Sequence, residues 1–257
     1  MSRTPPDALP AAVDRGSGRP DRPPSDTGSA ARILLEVGGL WLATLLAIRA
    51  VVTAQTALGL HEVVLALVPV LFIYLPVLVC RLRGADSWSY LLWIPALRDR
   101  RAWREALVLN LRILGIGIVP WLLAYHVYQT HLFGFSPSWR FPASPLTLVA
   151  YHVFFVAIPE EFFYRGYLQT RLNEVFPRRF LLAGIPFGHG LWIAALLFAF
   201  GHSLVELRWW HFATFFPGLL FGLLRERTGS VTASALCHAA CNILVNVLDT
   251  IYGIVPP

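Results

Sequence analysis

Glu160 and Glu161 stand side by side in Pro159-Glu160-Glu161-Phe162-Phe163-Tyr164-Arg165, within a stretch otherwise rich in apolar residues. Ionisable side chains in such surroundings are costly, and they mark function by default and need named partners. The sequence supplies candidates. His202 closes Phe198-Ala199-Phe200-Gly201-His202, after a run from Leu191 with no charged residue, and His238 and Asn242 lie in His238-Ala239-Ala240-Cys241-Asn242. On a helix Glu161 and Arg165 are four apart and can pair. Glu160 is rotated about 100° away from that pair and can face another partner. Neighbouring carboxylates repel, and burial opposes charge on both, which suits Glu160 to act as a general base near neutral pH. Pro159, just upstream, lacks a backbone donor and should kink or start a helix there, leaving room for water beside Glu160. His238 and Asn242 are also four apart, with Asn246 one turn further, so they form one polar stripe. An imidazole and an amide placed side by side can donate hydrogen bonds to a developing oxyanion. Together these residue types point to peptide hydrolysis. Glu160 and His202 activate water, and His238 with Asn242 stabilise the tetrahedral intermediate.

The elements that must position them are membrane helices. Hydrophobic residues make up 56% of the 257-residue chain and charged ones 14%, about half the charge of a soluble domain. Seven apolar segments, roughly 33–54, 62–80, 105–127, 145–170, 185–205, 211–224 and 230–253, predict an all-α polytopic bundle of about seven transmembrane helices around a polar intramembrane cavity. The sixth is short. The fifth begins ambiguously at Gly184-Ile185-Pro186, which fits a re-entrant or broken helix. Residues 87–97 are too few to span, and Trp88, Tyr90 and Trp93 suit an interfacial helix. Residues 1–31, rich in Pro, Ser, Arg and Asp, read as a disordered cytoplasmic tail that cannot bury a core, leaving 32–257 as one domain. The tail lacks the apolar h-region of a cleaved signal peptide.

The net charge of +6 comes from 21 arginines and no lysine. Arginines fill the tail and the loops after the second, fourth and sixth segments, whereas the alternate loops hold only Arg140 and Arg208. The positive-inside rule explains this better than nucleic-acid binding does, and it places the N-terminus in the cytoplasm and the C-terminus on the far side. Cys80, Cys237 and Cys241 give no disulfide framework; Cys237 and Cys241 read as small packing residues rather than metal ligands.

Other polar residues have plainer readings. His126, His131, His152, His189 and His211 read as interfacial or packing histidines, although His152 lies eight residues before Glu160 on roughly the same helical face. Arg49 and Arg112 snorkel or line the cavity, and Asn246 and Asp249 extend the cavity or pack. One tension stands in this scheme. Glu160 falls to the cytoplasmic side of mid-membrane and His202 near the outer end of the fifth segment, an offset of about 10 Å or more at 1.5 Å per residue. Either that segment ends later, through Ser203–Leu207, or it starts as a loop dipping into the membrane.

The pattern Glu-Glu-x-x-x-Arg, Phe-x-x-x-His, His-x-x-x-Asn, met at Glu160/Glu161/Arg165, Phe198/His202 and His238/Asn242, resembles the CPBP family of CAAX proteases and bacteriocin-processing enzymes. The resemblance covers about residues 145–250. It implies an all-α membrane fold with a water-filled cavity and endoproteolysis near a substrate C-terminus. It also implies catalytic roles for Glu160, His202, His238 and Asn242, with Glu161 and Arg165 as structural supports. The implied partners are the bilayer and a membrane-anchored protein substrate with a C-terminal tail, in a bacterial inner (cell) membrane. The segment Phe215–Arg225 is similar to a branch of sorting proteases, the myxosortase-like enzymes. Members of this family have been labelled metalloproteases, and Glu160, His202 and His238 would form a three-ligand zinc set. With no His-Glu-x-x-His, and with Asn242 better suited to an oxyanion than to a metal, catalysis without a cofactor is the expectation. Two other classes compete. A transporter would use the same residues as a proton relay but predicts inverted repeats, which the sequence lacks. A non-catalytic scaffold could have lost a motif residue, and this chain keeps them all.

Overall fold

The computed structural model describes residues 27–85 and 99–255; the interfacial helix expected at 87–97 and residues 1–26 of the expected tail lie outside them. Seven helices form among the described residues: α1 (Thr27–Ala57), α2 (Leu67–Leu82), α3 (Arg100–Val127), α4 (Pro145–Val175), α5 (His189–Glu206), α6 (Phe215–Thr228) and α7 (Val231–Ile251). Their ends carry ordinary signals. Asp99 caps α3 by accepting from Ala102 N, and Ser230 caps α7 by accepting from Thr232 N, as short polar side chains do at N-caps. Gly229, at φ 68°, ends α6, where a left-handed residue costs glycine nothing.

Among the described residues five runs are long and apolar enough to cross a membrane: Thr27–Ala57, Glu62–Leu82, Arg100–Leu132, Pro145–Val175 and Val231–Ile251. The chain is a multi-pass helical membrane protein. Of the seven segments read from the sequence, the fifth and sixth are helices of 18 and 14 residues. At 1.5 Å per residue α6 extends only about 21 Å, short of a hydrocarbon core of about 30 Å. α1 begins at Thr27, inside the segment read as tail.

The start of the fifth segment differs from expectation. Phe180–Leu182 (β1) and Ile185–Phe187 (β2) pair antiparallel, Leu182 facing Ile185 across a two-residue turn. Ala183 and Gly184 have φ of 50° and 77°, and positive φ at both positions is what a hairpin turn of that length requires. α5 therefore starts at His189 rather than near 185, and runs on to Glu206.

α4 is the central helix. Phe162, Phe163, Tyr164, Tyr167 and Leu168 are buried against Phe198 of α5, Phe221 of α6 and Cys237 of α7. Two carboxylates pin the arginine-rich ends. Glu36 of α1 receives Arg171 at 2.8 and 3.1 Å, Arg83 at 3.3 Å and the Tyr167 hydroxyl. Glu226 of α6 receives Asn173 at 2.6 Å, Arg178 at 2.7 Å and Gln169 at 2.8 Å. α3 is peripheral, with only Ala106 and Asn110 buried.

Candidate active site

Pro159 stands in the first turn of the α-helical segment Ile158–Glu161, inside the longer helix α4. α4 runs through it because the preceding turn, Tyr151–Ala157, is π-helical, and a second π-helical stretch follows at Phe162–Gln169. Wider turns relax the clash between a proline ring and the carbonyl four residues back, and such turns frequently occur at functional sites. Between them the single α-turn Ile158–Glu161 presents the two glutamates.

Their side chains diverge. Glu161 Oε1 accepts from Arg165 Nη1 at 2.8 Å, with both side chains fully buried. Arg165 Nη2 donates to Gly218 O at 2.8 Å, and its guanidinium lies 4.4 Å from the Phe198 ring centroid and 5.3 Å from that of Phe221. α6 approaches closely enough for this because Gly218 has no side chain: a Cβ there would stand 3.3 Å from Phe198 and 3.4 Å from Arg165. Glu160 Oε2 is buried without a hydrogen-bond partner among the described residues.

Two imidazoles meet that oxygen. His202 Nε2 lies 3.7 Å and His238 Nε2 3.9 Å from Glu160 Oε2. The depth offset expected from the sequence is thus absent, since starting at His189 and ending at Glu206 brings His202 level with Glu160. Each ring is fixed from behind. His202 Nδ1 lies 3.0 Å from Phe198 O, and His238 Nδ1 lies 2.9 Å from Glu161 Oε1. Both partners are acceptors, so both Nδ1 atoms carry the proton. The Phe198 ring packs 4.4 Å from His202 and 5.7 Å from His238, and Phe221 stacks on His238 at 4.8 Å. The spacing Phe-x-x-x-His has a physical reason here: the phenylalanine carbonyl orients the histidine while its ring separates the imidazoles from Arg165. The His202 side chain is 31% exposed, against 13% for Glu160 and 4% for His238, so the cluster opens on the His202 side.

Asn242 is half-buried one turn beyond His238 on α7; it makes no hydrogen bond to Glu160, His202 or His238. His152 is half-buried with Nδ1 enclosed and within electrostatic range of His238, so it borders the site. Asp249 instead accepts from Tyr125 of α3, and His126 Nδ1 lies 2.6 Å from the Tyr252 hydroxyl; both serve packing between α3 and the end of α7. Sequence reasoning missed the contact of Glu161 with His238, because 77 residues separate them and no local spacing announces it.

Residues 142–244 match the family model described as type II CAAX prenyl endopeptidase Rce1-like. This segment is similar to a CAAX-endopeptidase domain. The match begins just before α4 and ends within α7, so it holds every residue of the cluster, while α1–α3 lie outside it. No curated protein and no solved structure matches the chain. CAAX endopeptidases are proteases, and the chain is accordingly a hydrolase. No group of three or more His, Cys, Asp or Glu side chains poised to hold a metal ion stands out among the described residues.

Proposed function

We propose that the protein is an intramembrane endopeptidase that cleaves substrate proteins near their C-terminus or membrane anchor, using a glutamate-activated water. The observation that carries the reading is the convergence of Glu160 Oε2 with two imidazole Nε2 atoms at 3.7 and 3.9 Å. These separations leave space for a water or a substrate oxygen between the groups. Glu160 takes a proton from the water, and His202, its Nδ1–H tied to Phe198 O, presents Nε2 to hold that water in line. The hydroxide attacks the scissile carbonyl. A His238 that donates from both nitrogens offers Nδ1–H to Glu161 and Nε2–H to the developing oxyanion, with Asn242 as the second donor. Such a His238 also balances charge, since Glu160 and Glu161 then face Arg165 and His238 as two negatives against two positives. The protonated Glu160 returns its proton to the leaving amine, which completes hydrolysis.

The substrate reading is a membrane protein with a C-terminal tail, in the manner of a bacterial sorting protease of the myxosortase-like kind, with the N-terminus of the enzyme in the cytoplasm of a bacterial cell. Support comes from the arginine distribution and from a cluster walled by apolar helices. The test is C-terminal peptide mapping of membrane proteins from cells carrying wild-type enzyme or Glu160→Gln. Wild type shortens one or more C-termini that Glu160→Gln leaves whole while still inserting and folding. Identical C-termini in both would overturn the assignment of Glu160.

A further inference from the structure

We propose that Arg49 of α1, outside the matched segment, is a positioning residue that sets the height of His202 against Glu160. The inference rests on reading His202 as the partner of Glu160. Arg49 reaches across from α1 to the C-terminal end of α5. Its Nη1 donates to Leu204 O at 2.9 Å and to Val205 O at 3.1 Å, the carbonyls two and three residues past His202. α5 ends there. Leu207 turns left-handed at φ 54°, and Arg208 N closes on Ser203 O. The last four carbonyls of a helix lack intrahelical donors, and in a bilayer each unsatisfied group is costly. One guanidinium serves two of them and complements the negative end of the helix dipole.

A second contact makes this a grip rather than a cap. Trp41, eight residues earlier on α1, donates Nε1 to Leu197 O at 3.0 Å, five residues before His202. α1 therefore holds α5 at two heights, one on each side of the histidine. Between them Gly201 lets α5 close on Tyr164 of α4, with Trp41 at ordinary contact distance. A Cβ there would stand 2.5 Å from the Tyr164 hydroxyl and 3.9 Å from Trp41 Nε1. A slip of α5 by one residue moves His202 about 1.5 Å, enough to lose a 3.7 Å approach to Glu160. Nothing in residues 142–244 supplies these two donors. Arg49 suits the task better than lysine because its planar fork loses less freedom per hydrogen bond formed.

The test uses the full-length protein with ¹⁵N-labelled histidine in detergent. The imidazole nitrogen signals are read by NMR and assigned by loss in His202→Gln and His238→Gln. Arg49→Ala should shift the His202 signals away from the Nδ1–H form and leave those of His238 in place; Arg49→Lys should restore them in part. A role in global stability alone would move both histidines or neither. In the second arm, a membrane protein found by C-terminal mapping is the substrate. Its turnover should fall about ten- to a hundred-fold in Arg49→Ala at unchanged KM, as a misplacement of about 1 Å produces. Arg49→Gln, which keeps an amide donor, takes the place of Arg49→Ala if the latter fails to insert. A normal rate in His202→Ala overturns the reading of His202, whereas an unmoved His202 signal in the Arg49 variants overturns the positioning role alone.

Discussion

Glu161 binds Arg165 and His238 through one oxygen. Oε1 lies 2.8 Å from Arg165 Nη1 and 2.9 Å from His238 Nδ1. The sequence assigned Glu161 a supporting role beside Arg165, and the structure adds a contact with the imidazole proposed to meet the oxyanion. Glu161 is thus both a buried ion-pair partner and the group that fixes the ring of His238. Substitutions at Glu161 and Arg165 should therefore differ in kind.

Arg165→Ala removes the cation and leaves Glu161 in a fully buried site. Breaking a buried pair from one side costs roughly 3–5 kcal/mol. Thermal melts in detergent should show Arg165→Ala strongly destabilised, and a melting temperature equal to wild type would show that neither the pair with Glu161 nor the Arg165 bond to Gly218 O of α6 stabilises the fold.

Glu161→Gln keeps the shape and one acceptor oxygen but removes the negative charge that Arg165 Nη1 and His238 Nδ1 share. It should fold with a lowered melting temperature and turn over substrate roughly a hundred-fold more slowly. Cleavage at the wild-type rate would return Glu161 to a purely structural role.

Two glycine substitutions should act in opposite directions. A Cβ on Gly222 would stand 3.0 Å from Leu191 Cγ and 3.1 Å from Gln169 Oε1, while Gln169 donates to Gly222 O and to Glu226. Gly222→Ala should cost about 1–3 kcal/mol through overpacking. Gly117 of α3 meets nothing within 4 Å, so Gly117→Ala should be neutral or stabilising, by up to about 1 kcal/mol from helix propensity. Equal melting shifts for the two would contradict the close approach of α6 to α4 and α5.

What the sequence revealed of the site follows from helical periodicity. Glu161 and Arg165 pair as their spacing requires, Glu160 points elsewhere, and His202 and His238 arrive at Glu160. Local chemistry also explains what stayed hidden. Phe180-Leu181-Leu182 and Ile185-Pro186-Phe187 read as the apolar start of a span, and only the left-handed pair Ala183-Gly184 turns them into a hairpin. The π-helical stretches on either side of the Pro159 turn stayed hidden because a π-turn has no composition of its own. Arg49 on Leu204 O and Glu161 on His238 are contacts across 155 and 77 residues, beyond the reach of any spacing rule.

Asn242 and His238 test the oxyanion and the metal question together. If both donate to charge that develops in the transition state, Asn242→Ala should lower kcat roughly a hundred- to a thousand-fold with little change in KM. His238→Ala should do comparable damage. The double variant should lose less than the product of the two, since groups acting as a unit are non-additive. A zinc enzyme built on Glu160, His202 and His238 predicts another pattern. Its metal, present in one equivalent in wild type, would be lost in His238→Ala, chelators would abolish activity, and Asn242→Ala would be mild. Metal analysis of wild type and His238→Ala, alongside the kinetics of Asn242→Ala, separates the two. Stoichiometric zinc that leaves with His238 would overturn the glutamate-activated mechanism while the hydrolase assignment stands. A metal-free active enzyme with a crippled Asn242→Ala would place the oxyanion on α7.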